Sequence, residues 1–172
     1  MDTQSEMSFR KIRVTSPDVK EAPPGLWSNC LRFGNLVFVA GLTSRGDDGR
    51  TIEGSGEYEQ ARIIFRKIRS LVEAAGGTMD NVAKLTIFVT DISKNVEVWR
   101  ARKEFFSGDF PAASLVEVSA LATPEAKASS GKSSPPCATT RWRPVMIAAG
   151  RVSSPPFAKS RQYFRRRPSR KS

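Results

Sequence analysis

Two apolar runs, at residues 30–33 and 36–40, begin the hydrophobic pattern of the chain. Only Gly34 and Asn35 separate them, and glycine tolerates a positive φ, so the two runs predict a β-hairpin. The second run is almost continuously apolar. This indicates a strand that is covered on both faces or lies at a contact between subunits.

After a glycine-rich loop, the period of the pattern becomes that of helices. From Glu57 onward, apolar residues recur at intervals of three and four, which predicts an amphipathic helix ending at Gly76. A second helix is predicted over residues 94–106, with Asp91 or Ser93 as its cap.

Two further strands complete the pattern. Residues 82–89 are rich in β-branched side chains, and residues 113–118 alternate between apolar and other positions. The predicted order is β-β-α-β-α-β, which indicates a small α+β domain.

Composition excludes several kinds of chemistry. The 172 residues include no histidine, which removes imidazole metal ligands and every nucleophile activated by a histidine. The two cysteines, Cys30 and Cys137, do not form a C-x-x-C motif, so we expect no metal site. No apolar run approaches the roughly 20 residues that span a bilayer, and residues 1–13 do not resemble a signal peptide. We therefore expect a soluble, cytoplasmic protein that does not bind membranes.

The net charge of +11 is confined to one end of the chain. Residues 1–124 hold 16 basic and 16 acidic residues, whereas residues 125–172 hold 12 basic residues and 1 acid, a balance of 12 − 1 = +11. This change predicts a boundary near Pro124, after which residues 125–172 form a mostly disordered Ser/Pro/Arg-rich tail.

Four stretches of the domain resemble the reactive-intermediate deaminase family, often called the RidA/YjgF type. They are RFGNLVFVAG at 32–41, LVEAAG at 71–76, DNVAKLTIFVTD at 80–91 and FPAASLVEV at 110–118. The resemblance places the domain at residues 22–124 and leaves residues 1–21 as an N-terminal segment that contributes part of an edge strand. It implies a chorismate-mutase-like α+β fold, in which two helices pack on one face of a mixed sheet. It also implies a homotrimer with small-molecule clefts between subunits, no cofactor, and hydrolysis of small enamine or imine acids to keto acids and ammonia.

The resemblance also implies which positions line the cleft, and this sequence departs from the family there. The arginine that binds the substrate carboxylate in the family is replaced by Ala113, so no catalytic residue is assigned with certainty, and Glu117 is the remaining candidate acid. On the second helix, Arg100, Arg102 or Lys103 could supply a substitute cation or simply form a solvated surface. The residues at the implied substrate positions are Trp27, Ala40, Gly41, Phe88, Trp99, Ala113 and Leu115.

The final strand of the family, which carries a water-positioning glutamate, is missing or replaced after Pro124. The apolar run at residues 144–149 could occupy a vacant sheet edge, but it contains no acid. The tail itself has three interpretations: a shift of the coding frame near Pro124, a disordered segment, or an arm that binds RNA or DNA through residues 165–171.

Three functions follow from these observations. The first is deamination of reactive enamine or imine intermediates. The second is a non-catalytic or altered-specificity trimeric module that binds small molecules, because the arginine is lost at Ala113. The third is an RNA-binding or endoribonuclease-like role through the basic tail.

Overall fold

The computed structural model describes residues 10–121 together with the backbone of residues 145–153. The predicted hairpin, helices and strands are present, with an edge strand within residues 1–21, a short additional strand at Leu42–Thr43 and a strand close to the C-terminus. In chain order the elements are β1 Lys11–Arg13, β2 Cys30–Phe33, β3 Leu36–Val39, β4 Leu42–Thr43, α1 Glu57–Ala74, β5 Val82–Val89, α2 Asn95–Arg102, β6 Ala112–Glu117 and β7 Val145–Ser153. Short 3-10 helices at Met79–Asn81 and Ile92–Lys94 lead into β5 and α2.

The strands form one mixed sheet in the order β1-β2-β3-β7-β5-β6, and β4 pairs with β7 beside β3. Strands β5 and β6 are parallel, whereas the other pairs are antiparallel. The parallel pair is joined by α2, as a crossover connection requires. The α+β class and the mixed sheet predicted from the sequence are confirmed.

The predicted position of the apolar run at residues 144–149 was wrong. Residues 145–153 do not occupy a vacant edge; they lie in the middle of the sheet, between β3 and β5. A central strand forms backbone hydrogen bonds on both sides, whereas an edge strand forms them on one side only. The final strand is therefore replaced rather than missing. The predicted disordered tail comprises residues 125–172. Residues 145–153 of it form β7, and residues 125–144 and 154–172 lie outside the described residues.

Helix α1 covers one face of the sheet. Its apolar stripe includes Phe65, Ile68 and Leu71, which are fully buried with Leu85 and Ile87 of β5. Burial of these residues contributes to the free energy that holds α1 on the sheet.

Helix α2 ends at Arg102, four residues earlier than the predicted Phe106. The chain turns there because the rings of Phe105 and Phe106 pack against Phe65, with centroids 5.4 Å and 5.9 Å away. These contacts between aromatic rings are tertiary, so the helical period of the sequence did not indicate the end of the helix.

The opposite face of the sheet carries apolar side chains and no helix among the described residues. Leu31 pairs with Phe38, and Phe88 pairs with Val116, all on the side away from the buried Leu85. Phe38 remains 48% exposed and Val116 44% exposed. We call this surface, formed by Leu31, Phe33, Leu36, Phe38, Phe88 and Val116, the open sheet face.

Candidate functional site

Trp27, Ala40 and Gly41 lie together beside the β2–β3 hairpin. The indole N–H of Trp27 donates to Oδ1 of the buried Asn29, 3.1 Å away, and the carbonyl of Asn29 accepts from the backbone N–H of Ala40 at 2.8 Å. The side-chain amide of Asn29 also donates to the carbonyl of Lys20 at 2.9 Å. Asn29 therefore holds Trp27 and Ala40 in place, and Gly41 follows directly.

Arg13 adds a cation to this group that the sequence pattern did not indicate. Its guanidinium donates to the hydroxyl of Ser28 at 3.1 Å and to the carbonyl of Trp27 at 3.4 Å. A carboxylate oxygen of Glu21 lies 3.9 Å from the same guanidinium. Arg13 lies next to Trp27 because β1 pairs with β2. No local sequence motif predicts such a pairing.

Strand β6 carries Ala113, Leu115 and Glu117 on one face, because side chains two residues apart point to the same side of a strand. This is the face of the helices, since Ala113 pairs with Leu85 and Leu115 with Ile87. Leu115 packs against the core, while Ala113 and Glu117 are exposed.

Phe88 lies on the open sheet face, opposite to Ala113 and Leu115. Its partner on β6 is Val116, whose side chain alternates with those of Leu115 and Glu117. The structure therefore does not bring Phe88 together with Ala113 and Leu115 within one chain.

Helix α2 presents Trp99 to solvent, because the neighbouring Val98 and Ala101 supply its buried contacts. Among the candidate cations of this segment, Arg100 is paired with Glu97 at 3.0 Å. Arg102 has its guanidinium carbon 5.4 Å from the centre of the Phe110 ring, and Lys103 is exposed.

Glu117 has a structural hydrogen bond. One oxygen of its carboxylate accepts the backbone N–H of Ile92 at 2.8 Å and so caps the 3-10 helix before α2. The other carboxylate oxygen of Glu117 has no hydrogen-bond partner among residues 10–121. It can therefore accept a hydrogen bond from a ligand or a water molecule.

We expect Glu117→Ala to lower the free energy of unfolding by about 1 kcal/mol, since a hydrogen bond to the backbone is lost. Glu117→Gln keeps an acceptor oxygen and is expected to retain most of that stability. Urea unfolding of both variants measures the difference. Equal stability of Glu117→Ala and the wild type would contradict a capping role.

Two groups of candidate residues lie near opposite edges of the sheet. Trp27 precedes β2 and Ala40 follows β3, whereas Ala113 lies on β6, with β7 and β5 between β3 and β6. Spacings of about 4.8 Å between neighbouring strands place β6 roughly 14 Å from β3 and roughly 19 Å from β2. A small ligand cannot contact both groups in a single chain.

The described residues lack several other kinds of site. They contain no group of three or more Cys, Asp or Glu side chains placed to hold a metal ion. Burial raises the pKa of the Cys30 thiol to about 11, and the nearby Glu21 adds to the effect, so this cysteine is a poor nucleophile. Of the helices in the described ranges, none has the length and apolarity to cross a membrane. The nucleic-acid prediction rests on residues 165–171, which lie outside the described residues.

The protein is therefore a small α+β domain, in which a mixed sheet carries helices on one face and apolar side chains on the open sheet face. The family model described as endoribonuclease L-PSP matches residues 19–128. The chain therefore belongs to this family, the family of the RidA and YjgF proteins, and the resemblance found in the sequence is confirmed.

Several relatives support this assignment. Protein HMF1 of Saccharomyces cerevisiae is 28% identical over 113 residues, which cover 64% of this chain and 87% of the yeast protein. A RutC family protein of Pyrococcus abyssi is 30% identical over 58% of this chain and 78% of its own length. A 2-iminobutanoate/2-iminopropanoate deaminase of Dermatophagoides farinae is 28% identical, covering 63% of this chain and 85% of its own length.

Solved structures share the same fold. A protein of unknown function from Pseudomonas aeruginosa superposes with a TM-score of 0.63 at 30% identity, covering 83% of this chain and 93% of the other. RidA from an Antarctic Psychrobacter has a TM-score of 0.62 at 24% identity and covers 82% of this chain and 98% of its own. The second similarity concerns the fold alone.

Proposed function

We propose that this protein hydrolyses small reactive enamine or imine acids to keto acids and ammonia, in clefts formed between the subunits of a homotrimer. The observation that carries the proposal is the position of Trp27 and Ala113 near opposite edges of one sheet. Family membership, together with the deaminase among the relatives, supports the choice of reaction.

The open sheet face supports the assembly. Exposed rings such as Phe38 and Phe33 form an apolar surface of a kind that usually marks a contact with another protein. If copies of the chain pack through this face, the β6 edge of one copy can approach the Trp27 edge of the next. A cleft between two copies then contains both groups of residues.

The proposed reaction is the addition of water to an imine, followed by the loss of ammonia. Water adds to the carbon of the C=N bond, a proton passes to the nitrogen, and the resulting carbinolamine releases ammonia as its C–N bond breaks and its C=O bond forms. The carbon of an imine is already electrophilic, so no histidine or strong nucleophile is required. The second carboxylate oxygen of Glu117 is a candidate acceptor for a proton of the attacking water.

Ala113 favours a second candidate function, a trimeric module that binds small molecules without deaminating them. A methyl side chain cannot bind a carboxylate, and β6 carries no lysine or arginine that could take its place. In this alternative the ligand is held by Trp27 and the apolar side chains around it.

The rate of imine hydrolysis distinguishes the two functions. An amino acid oxidase, with catalase present, generates 2-iminobutanoate from 2-aminobutanoate, and semicarbazide competes for the imine. We expect the full chain to raise the rate of 2-oxobutanoate formation at least tenfold over the uncatalysed rate. The amount of imine trapped by semicarbazide should fall in proportion. An unchanged rate in the presence of an assembled trimer would reject deamination and support the binding module.

A further inference from the structure

Arg102, the last residue of α2, lies where the chain approaches β6. Its guanidinium carbon is 5.4 Å from the centre of the Phe110 ring. Phe110 contacts Phe106 with a centroid distance of 6.1 Å, and Phe106 packs against Phe65 in the core at 5.9 Å. These aromatic contacts tie the position of Arg102 to the core.

Arg102 has no acid partner in the described part of the chain. Its Nε atom is buried and makes no hydrogen bond there. The two acids of the α2 segment are already paired with other cations: Glu97 with Arg100 at 3.0 Å, and Glu104 with Arg62 at 2.8 Å. The side chain as a whole is only half-buried, and its terminal N–H groups are not among the buried atoms, so an external anion can reach them and supply the missing charged acceptor.

The surroundings of Arg102 indicate what kind of anion fits. A guanidinium presents parallel N–H groups that match the two oxygens of a carboxylate. The Phe110 ring is partly exposed beside it and can contact a short alkyl group. Phe110 is also only two residues before the start of β6 at Ala112, so the Arg102–Phe110 pair lies next to the strand that carries Ala113.

We propose that Arg102 binds the carboxylate of a small oxo or imino acid, with the Phe110 ring against the alkyl part of the ligand. The inference rests on the proposed function, because it names the group that anchors the substrate where Ala113 cannot. In this proposal Arg102 binds and orients the substrate, and its side chain takes no part in the addition of water.

Binding of the stable product tests this proposal. Titration calorimetry of the full chain with 2-oxobutanoate is compared with titration using its neutral methyl ester. We expect Arg102→Gln to weaken binding of the acid at least tenfold and to leave binding of the ester unchanged. Arg69→Gln is the matched control, because Arg69 also lies over a ring, that of Phe105 at 5.6 Å, but on the exposed face of α1.

Equal affinity of the wild type and Arg102→Gln for 2-oxobutanoate would overturn the role of Arg102, as would the absence of any binding to the wild type. Deamination is tested separately, by the rate of imine hydrolysis, so binding that depends on Arg102 without a faster reaction would reject deamination alone. If Arg102→Gln does not fold, NMR of the wild type labelled with 15N-arginine replaces it. A shift of the Arg102 Nε–H resonance with added acid supports the proposal, and an unchanged resonance during binding overturns it.

Discussion

Replacing Phe38 by aspartate is expected to convert the proposed trimer into monomers. Phe38 is 48% exposed at the middle of the open sheet face, where it pairs with Leu31 across the hairpin. A carboxylate buried at an interface loses its hydration without gaining a partner, which costs several kcal/mol per chain. Sedimentation velocity of the full chain measures the change.

The matched control is Val96→Asp. Val96 is also an exposed apolar residue, but it lies on α2, on the other side of the sheet. We expect this variant to sediment like the wild type. If Phe38→Asp remains a trimer, the open sheet face is not the interface; if the wild type is a monomer, the homotrimer itself is rejected.

Loss of the trimer should also weaken ligand binding, because a monomer keeps Arg102 and Phe110 but loses the Trp27 side of the proposed cleft, which another chain supplies. The monomeric Phe38→Asp protein is therefore expected to bind 2-oxobutanoate at least tenfold more weakly than the wild type. Undiminished binding by a monomer would mean that the site lies within one chain, and the cleft between subunits would have to be abandoned.

Placing an arginine at position 113 is expected to produce the second large effect. Ala113 is exposed on β6, so the longer side chain can be accommodated without displacing the core. A charge-assisted hydrogen bond to a carboxylate contributes about 1.5–3 kcal/mol, which corresponds to an increase of roughly 10- to 100-fold in kcat/KM for 2-iminobutanoate. The imine hydrolysis assay measures it.

Ala113→Gln serves as the control for this gain, because it adds length and polarity but no charge. We expect it to change kcat/KM by less than twofold. If Arg102 holds the carboxylate in the wild type, the gain from Ala113→Arg should be largest when it is combined with Arg102→Gln. No gain in either background would mean that the substrate carboxylate does not approach β6.

The sequence by itself determined the local elements and the family. The hairpin at Gly34, the helix from Glu57 and the strand at 82–89 are all encoded by periodicity and turn residues that act over a few positions. Four stretches in family order were sufficient to identify the RidA/YjgF fold. The concentration of charge after Pro124 was also visible from the sequence alone.

Tertiary structure decided which of these elements and side chains meet. It placed β7 in the centre of the sheet, ended α2 at Arg102, and put Phe88 and Ala113 on opposite faces. It also brought Arg13 to Trp27 through strand pairing. Strand neighbours, ring contacts and the partners of a guanidinium depend on residues far apart along the chain. Local hydrophobic patterning contains no information about such pairs, and only the folded arrangement shows them.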